Sequence, residues 1–326
     1  MQITVYSLME SEQEYYEKLK ENENLTFIYT KEMPMQSNVK LAKGSDAVIV
    51  ITTPITSDII EAFAREGVKY IATRTAGYDH IDLAYAKKTG VGIGNSSYAS
   101  DNVAEYTIML MLMANRNIKT ILLSYQNQDF SLKNVQGSLL GEQTVGIIGT
   151  GKIGTEVAKL LKGFGCNIIA YSRTQKEELK EILTYVSLEE LYRESDVISL
   201  HLPSTEENYH MINKNAIEKM KQDVMIINTA RGALIDTKAL IEGLESKKIA
   251  GVALDVIEDE TMYYYHNFKN MVITHQEMAI LRSMPNVIMT PHTAFHTRQA
   301  SMQMAQNAVR GCLAALCNQE NPWKIV

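Results

Sequence analysis

Residues Thr144 to Gly165, TVGIIGTGKIGTEVAKLLKGFG, leave this chain little choice of fold. Val145, Ile147 and Ile148 read as a short buried strand, and Gly149, Gly151 and Gly154 form a G-x-G-x-x-G turn that opens a helix. Ile153, Val157, Leu160, Leu161 and Phe164 recur at helical spacing, and Gly163 and Gly165 stop the helix. Each glycine has its own physical task. The first permits the tight turn, the second lets backbone N–H groups approach a pyrophosphate, and the third lets strand and helix pack closely. The phosphates belong on the helix N-terminus, where unpaired N–H groups and the helix dipole favour negative charge. The pattern therefore predicts dinucleotide binding, with Gly149, Gly151, Lys152, Ile153 and Gly154 around the phosphates.

The rest of the chain fits a second unit built on the same plan. Ile3 to Tyr6, Leu25 to Tyr29, Ala47 to Ile51 and Tyr70 to Thr73 are strand-like, while Glu10 to Lys20 and Ser57 to Glu66 have helical character. These predict a small parallel-sheet domain over the first 100 residues or so. Ligands of such sheets bind outside the carboxyl ends of the strands, which marks Thr52 to Ile55 and Arg74 to Tyr78. Gly77 allows that loop's N–H groups to come close to a carboxylate. A helix from Asp101, its expected N-cap, to about Asn115 carries the chain across to the second domain. A C-terminal helix from about Thr297 to Cys317 is expected to return to the first. The expected domains are thus 1–100 with 298–326, and 101–297. The predicted fold class is α/β, two doubly wound parallel-sheet domains, one of Rossmann type and one flavodoxin-like.

With 326 residues there is room for two cores. A formal charge of −6 with scattered Lys and Arg argues against nucleic-acid or anionic-membrane partners. The opening QITVY reads as a strand rather than a leader, and the apolar run from Ile108 to Ala114 is too short to span a bilayer. Cys166, Cys312 and Cys317 lack metal-ligand spacing and suit a reducing cytoplasm, so no metal is expected. The seventeen methionines, at helical spacing where they cluster, read as core filler. Asn24-Leu25-Thr26 and Asn95-Ser96-Ser97 match the glycosylation pattern by chance.

In the second domain, apolar runs repeatedly end in polar or ionisable residues. Val197 to Leu200 gives way to His201-Leu202-Pro203, and Val224 to Ile227 to Asn228-Thr229-Ala230-Arg231-Gly232. Val252 to Leu254 ends at Asp255, and Val287 to Met289 runs through Thr290 into Pro291-His292. All should share the rim that carries the glycine turn. A nicotinamide exchanges a hydride with a carbonyl or alcohol carbon, and the protein must supply the proton and hold the substrate. Histidine, with an ordinary pKa of about 6.5, suits the proton, and a carboxylate beside it fixes the tautomer. An arginine fork grips a 2-oxo acid's carboxylate and polarises its carbonyl. His292, Arg231 and either Glu258 or Glu260 are the candidates.

NTARG at 228–232, ALDVIEDE at 253–260 and MTPHTA at 289–294, with GTGKIG and the Arg74-Thr75-Ala76-Gly77 loop, resemble the signatures of the D-specific 2-hydroxyacid dehydrogenases. VKYIATRTAGYDHIDL, LRSMPNVIMTPHTA and KGFGC most resemble its D-lactate dehydrogenase branch, particularly the enzymes of vancomycin-resistance clusters. The resemblance implies that Arg231 binds the substrate carboxylate and carbonyl, Glu260 orients and charges His292, and His292 is the acid/base. It implies N–H groups from Ala76 and Gly77 to the substrate carboxylate, with Tyr98, Ile55 and Phe295 around the substrate. His201, Pro203, Thr229, Ala230 and Asp255 are the implied further cofactor contacts, Asp255 on the nicotinamide side. A cytoplasmic homodimer, joined through the second domain, is also implied.

This chain departs from the family in places. Thr261 rather than proline follows Glu260, the Tyr-rich segment Tyr263 to Tyr265 extends that loop, and Phe295-His296 stand where the branch often has two tyrosines. Ile55 and Phe295 suit a compact side chain, pyruvate or slightly larger, with 2-oxoisocaproate or phenylpyruvate as the alternative. After the strand Asn167 to Tyr171 comes Ser172-Arg173-Thr174, without the carboxylate that normally accepts from the ribose of NAD(H). Ser172 and Arg173 suit a 2′-phosphate, which predicts NADP(H) as the preferred cofactor and NAD(H) as a usable one. A nucleotide-sensing binding protein on this scaffold would be expected to carry added peptide-binding or tail segments, and a phosphoglycerate dehydrogenase a regulatory domain. The sequence favours reduction of a small 2-oxo acid to the (R)-2-hydroxy acid.

Overall fold

Short runs buried along their whole length, as in Ala47–Val50, Tyr70–Thr73, Val197–Leu200 and Val224–Asn228, mark these strands for the interior of a parallel sheet. The computed structural model describes residues 1–23 and 25–326, and Asn24 of the first glycosylation pattern lies outside them. The chain divides into two units, Met1–Ala99 with His296–Val326, and Ser100–Phe295.

The first unit runs β1 (Gln2–Val5), α1 (Glu10–Glu23), β2 (Thr26–Tyr29), β3 (Ala47–Val50), α2 (Ser57–Arg65), β4 (Tyr70–Thr73), α3 (Leu83–Thr89) and β5 (Gly92–Gly94). Its sheet is parallel in the order β2-β1-β3-β4-β5, the flavodoxin-like arrangement. β5 is a Gly-Ile-Gly strand with no apolar run to announce it. A Cβ at Gly92 would lie 2.7 Å from the Tyr70 ring, and one at Gly94 would overlap the Tyr70 hydroxyl.

The second unit begins with α4 (Asp101–Asn115) and α5 (Ile118–Gln126). Then follow β6 (Thr144–Ile148), α6 (Lys152–Lys162), β7 (Asn167–Tyr171), β8 (Thr184–Tyr185), α7 (Leu188–Glu194) and β9 (Val197–Leu200). The remainder is α8 (Lys214–Lys219), β10 (Val224–Asn228), α9 (Thr237–Glu245), β11 (Ile249–Leu254), α10 (Gln276–Ser283) and β12 (Val287–Met289). The seven strands are parallel in the order β12-β11-β10-β9-β6-β7-β8, so the winding reverses between β6 and β9, as in a Rossmann fold. Ile147, Ile227 and Ala253 face a core layer with Val157 and Leu161 of α6, while Ile148, Ile226 and Leu254 face one with Leu240 and Leu244 of α9. Alternation along the strands thus feeds both helical layers.

Asp101 is the first residue of α4, and its N-cap is Ser100. The last helix, α11 (Arg298–Leu316), belongs to the first unit. Thr297 caps it by accepting from Ala300 N–H at 3.0 Å, and Ala305, Ala308 and Val309 pack with Ile3, Val5 and Ile49 of β1 and β3. None of the described helices is long and apolar enough to cross a membrane.

Candidate active site

The glycine turn leaves β6 and opens α6 as its sequence requires. Gly149 adopts φ +97°, and a Cβ there would lie 2.6 Å from the His201 carbonyl oxygen. At Gly154 a Cβ would overlap the Gly149 carbonyl, so the helix can press on the turn only because that atom is missing. At Gly151 a Cβ would meet nothing within 4 Å. That open position, beside the first turn of α6 whose N–H groups have no intrahelical partner, fits the pyrophosphate of a dinucleotide. Lys152 is exposed and Ile153 half-buried.

Around this turn, His201 N–H donates to the Ile148 carbonyl (2.8 Å), which ties the loops after β6 and β9 together at the point where the winding reverses. Its ring stands 2.8 Å from Ser199 Oγ, and burial pushes the imidazole down to about 3, so it is neutral at working pH. Pro203 is exposed. Ser172 is half-buried, and Arg173 is exposed with its guanidinium 3.4 Å from an equally exposed Glu207.

The loop after β12 carries His292. His292 Nδ1 lies 2.5 Å from Glu260 Oε1, while Glu260 Oε2 accepts from Ile257 N–H at 2.8 Å. This holds the carboxylate in place and leaves Nε2 as the imidazole's outward nitrogen. The histidine backbone sits in the left-handed region (φ +51°), its N–H donates to the Asp255 carbonyl at 2.8 Å, and its own carbonyl accepts from the Tyr265 hydroxyl at 2.9 Å. Asp255 holds the same loop from below. Its carboxylate is fully buried and accepts from Thr290 Oγ1 (2.6 Å), Thr293 N–H (2.9 Å) and Ala294 N–H (2.9 Å).

Arg231 comes from the turn after β10. Asn228, fully buried at the strand end, accepts from Ala230 N–H and donates to the Arg231 carbonyl, both at 2.9 Å, so one side chain fixes the turn on both sides. Gly232 follows, and a Cβ there would overlap Ile257 and the Glu258 amide nitrogen. The arginine turn and the glutamate loop are therefore in backbone contact. Thr229 and Ala230 are buried, Thr229 Oγ1 being 2.8 Å from Thr107 Oγ1 of α4. His292, Glu260 and Arg231 all follow the carboxyl ends of neighbouring strands β12, β11 and β10, on one rim of the sheet.

In the first unit the loop after β4 has its carbonyls engaged. Thr75 O accepts from Ser96 N–H (2.9 Å), Ala76 O from Asn95 Nδ2 (2.7 Å) and Gly77 O from Thr75 Oγ1 (2.6 Å). Among the described residues, the N–H groups of Ala76 and Gly77 donate to no protein atom, an arrangement suited to an anion. Asn95 of the second glycosylation pattern is spent on this loop.

Comparison with known proteins agrees with this geometry. Residues 108–294 match the family model described as D-isomer specific 2-hydroxyacid dehydrogenase, NAD binding domain. This chain belongs to the D-isomer-specific 2-hydroxyacid dehydrogenases. It is 39% identical to a D-specific alpha-keto acid dehydrogenase of Enterococcus faecium, over 98% of each chain. It is 43% identical to an aromatic 2-oxoacid reductase of Clostridium sporogenes, over 82% of this chain and 81% of the relative. The crystal structure of a D-lactate dehydrogenase from Treponema pallidum superimposes with a TM-score of 0.91 at 34% identity, covering all of both chains. The D-lactate branch is thus among its relatives, and the second unit is an NAD-binding domain of an oxidoreductase family.

Within this dehydrogenase, some side chains lie elsewhere than their sequence suggests. Ile55 is 1% exposed and packs in the core with Ile59, Ile60 and Ile81, because its backbone pairs with Ile81 and turns the side chain inward. Asp255 likewise has no exposed surface, and its oxygens accept from Thr290, Thr293 and Ala294 of the histidine loop. Phe295 and Tyr98 are half-buried, and the Phe295 ring centroid lies 6.3 Å from that of His292. Of the two candidate glutamates, Glu258 takes another partner. It pairs with His210 Nε2 at 2.5 Å and accepts from Thr237 Oγ1 at 2.6 Å, joining the loop before α8 to the start of α9. The sequence reading missed His210 and Asn228 as organisers. Asn228 had a signal, a polar residue ending a fully apolar strand.

Proposed function

We propose that the protein reduces a small 2-oxo acid to the (R)-2-hydroxy acid, and that the observation carrying this reading is the His292–Glu260 pair on one rim with Arg231 and the glycine turn. A bound nicotinamide supplies the hydride. His292, protonated on both ring nitrogens, delivers the Nε2 proton to the carbonyl oxygen and is left neutral, Glu260 accepts from Nδ1–H and so orients the ring and favours its charged form, and Arg231 engages the carboxylate and the charge that grows on the oxygen. Ala76 and Gly77 give the substrate carboxylate two N–H donors. Tyr98 and Phe295 bound the side chain, and pyruvate or 2-oxobutyrate is the preferred size. The relative named for aromatic 2-oxo acids keeps phenylpyruvate as the second reading.

We further propose that NADP(H) is used in preference to NAD(H). The segment after β7 has no carboxylate, and the exposed Arg173–Glu207 pair contributes too little to withhold the guanidinium from a phosphate. Leu122, Leu123, Tyr125, Phe130, Leu132 and Leu139 are exposed in the second unit, and α5 buries no residue. This apolar surface supports a homodimer through that unit. A monomer mass by light scattering would count against it.

The deciding assay follows oxidation of NADPH and NADH against pyruvate, 2-oxobutyrate, 2-oxoisocaproate and phenylpyruvate. Turnover fastest with NADPH and a short aliphatic acid is expected. A much higher kcat/KM with NADH overturns the cofactor preference, and no turnover despite cofactor binding overturns the enzymatic reading.

A further inference from the structure

Arg74 opens the loop after β4, yet its side chain does not face outward. It is completely buried, as is Glu12 in the first turns of α1, and the two form an ion pair through Arg74 Nη1 and Glu12 Oε2. The other guanidinium nitrogen, Nη2, donates to the carbonyls of Tyr6 (2.8 Å) and Ser7 (3.0 Å) at the end of β1. Ser7 is in the left-handed region (φ +51°), and Glu12 Oε2 also accepts from Met9 N–H at 3.2 Å. In the sheet order β1-β3-β4, this side chain joins the ends of two strands across the one between them. Its backbone N–H donates to Val50 O of that middle strand at 2.9 Å.

A buried ion pair is weak as a source of stability, because desolvation offsets the attraction. Here Arg74 Nε and Glu12 Oε1 have no hydrogen-bond partner among the described residues, which makes the pair poorer still. What a planar fork does well is fix direction. The residues directly after Arg74 are Thr75, Ala76 and Gly77, whose carbonyls are tied back and whose last two N–H groups are left as donors.

We propose that Arg74, held by Glu12, is a positioning residue that sets the Ala76 and Gly77 N–H groups for the carboxylate of the 2-oxo acid, and so sets substrate affinity rather than turnover. The inference rests on the substrate assignment made above. Two variants leave the net charge of the pair unchanged. Arg74→Lys keeps the cation beside Glu12 but loses the fork to both carbonyls, and the double variant Glu12→Leu/Arg74→Met replaces the pair by apolar groups of similar size. KM for pyruvate and Ki for oxamate, a carboxylate that is not reduced, are measured together with kcat, the cofactor Kd and hydrogen exchange at the Arg74 and Ser96 amides.

The double variant is expected to raise KM and Ki by about tenfold or more, the equivalent of one lost hydrogen bond. Arg74→Lys should give a smaller rise, with kcat and cofactor Kd within about threefold of the parent in both. Exchange should quicken at Arg74 and Ser96 and stay unchanged in β3. Unchanged KM and Ki in a folded variant overturn the proposal, as does a fall in kcat at constant KM, which is the signature of lost folded enzyme. If the double variant does not fold, Arg74→Lys alone decides. Failure of the substrate assignment appears separately, as a parent protein that reduces no 2-oxo acid. The exchange comparison then still tests the positioning, and equal exchange in parent and variant refutes it.

Discussion

The Glu260 carboxylate stands 2.5 Å from Nδ1 of His292, with its second oxygen anchored 2.8 Å from the Ile257 amide. A carboxylate held at both oxygens aligns the ring it touches and favours its protonated form, so the imidazole's other nitrogen is presented in one direction. His292→Ala should therefore lower kcat by about 10²–10⁴-fold and Glu260→Gln by a smaller factor, with cofactor affinity retained in both. Steady-state rates and fluorescence titration of the cofactor check this, and normal turnover in His292→Ala refutes the assignment.

Arg231→Ala should cost about 10²–10³-fold in kcat, because the charge that develops on the substrate oxygen then loses the guanidinium that stabilises it. Arg231→Lys should recover little, since a point charge cannot reproduce the two-pronged contact. Full recovery by lysine would mean that only the charge matters.

Asp255 gives a sharper test. Its carboxylate accepts three hydrogen bonds at 2.6 to 2.9 Å from the loop that carries His292. In Asp255→Ala those donors are stranded, at a cost of about 3 kcal/mol. Lower thermal stability and lower kcat with an unchanged cofactor Kd are expected. A Kd raised tenfold at normal stability would instead support the nicotinamide contact that the family resemblance implies for this residue.

Gly232→Ala places a methyl group on the backbone of Ile257 and Glu258. The turn bearing Arg231 must then back away from the loop bearing Glu260, and kcat should fall by about tenfold or more even where the protein folds, since small displacements of a catalytic group are costly. Calorimetry with kinetics separates this from unfolding.

The neutral His201 makes stability depend on acid. Burial holds its ring near 3, below the ordinary 6.5, so between those values the unfolded chain binds a proton that the folded one does not. This contribution is complete above about pH 6.5 and is lost as pH falls toward 3, at no more than about 1.4 kcal/mol per pH unit for one proton. In His201→Gln the decline of Tm from pH 6.5 to 4 should be shallower than in the parent. Equal slopes would show that the ring is not the source.

Much of this architecture is local and so can be read from the chain alone. Strand, turn and helix around Gly149 to Gly154 follow from apolar periodicity and the steric freedom of glycine, and residues that end apolar strands reach a common rim because parallel strands all end on one side. The two sheets and the grouping of His292, Arg231 and Glu260 on one rim rest on those rules. Contacts between distant segments were decided only by tertiary structure. Asp259 in the left-handed conformation (φ +53°) reverses the backbone between Glu258 and Glu260, sending one carboxylate to His210 and the other to His292. Pairing with Ile81 buried Ile55, and Arg74 met Glu12 across 62 residues of sequence. No pattern of period two or three and a half encodes such meetings, because each depends on where separate elements place their side chains once the cores have packed.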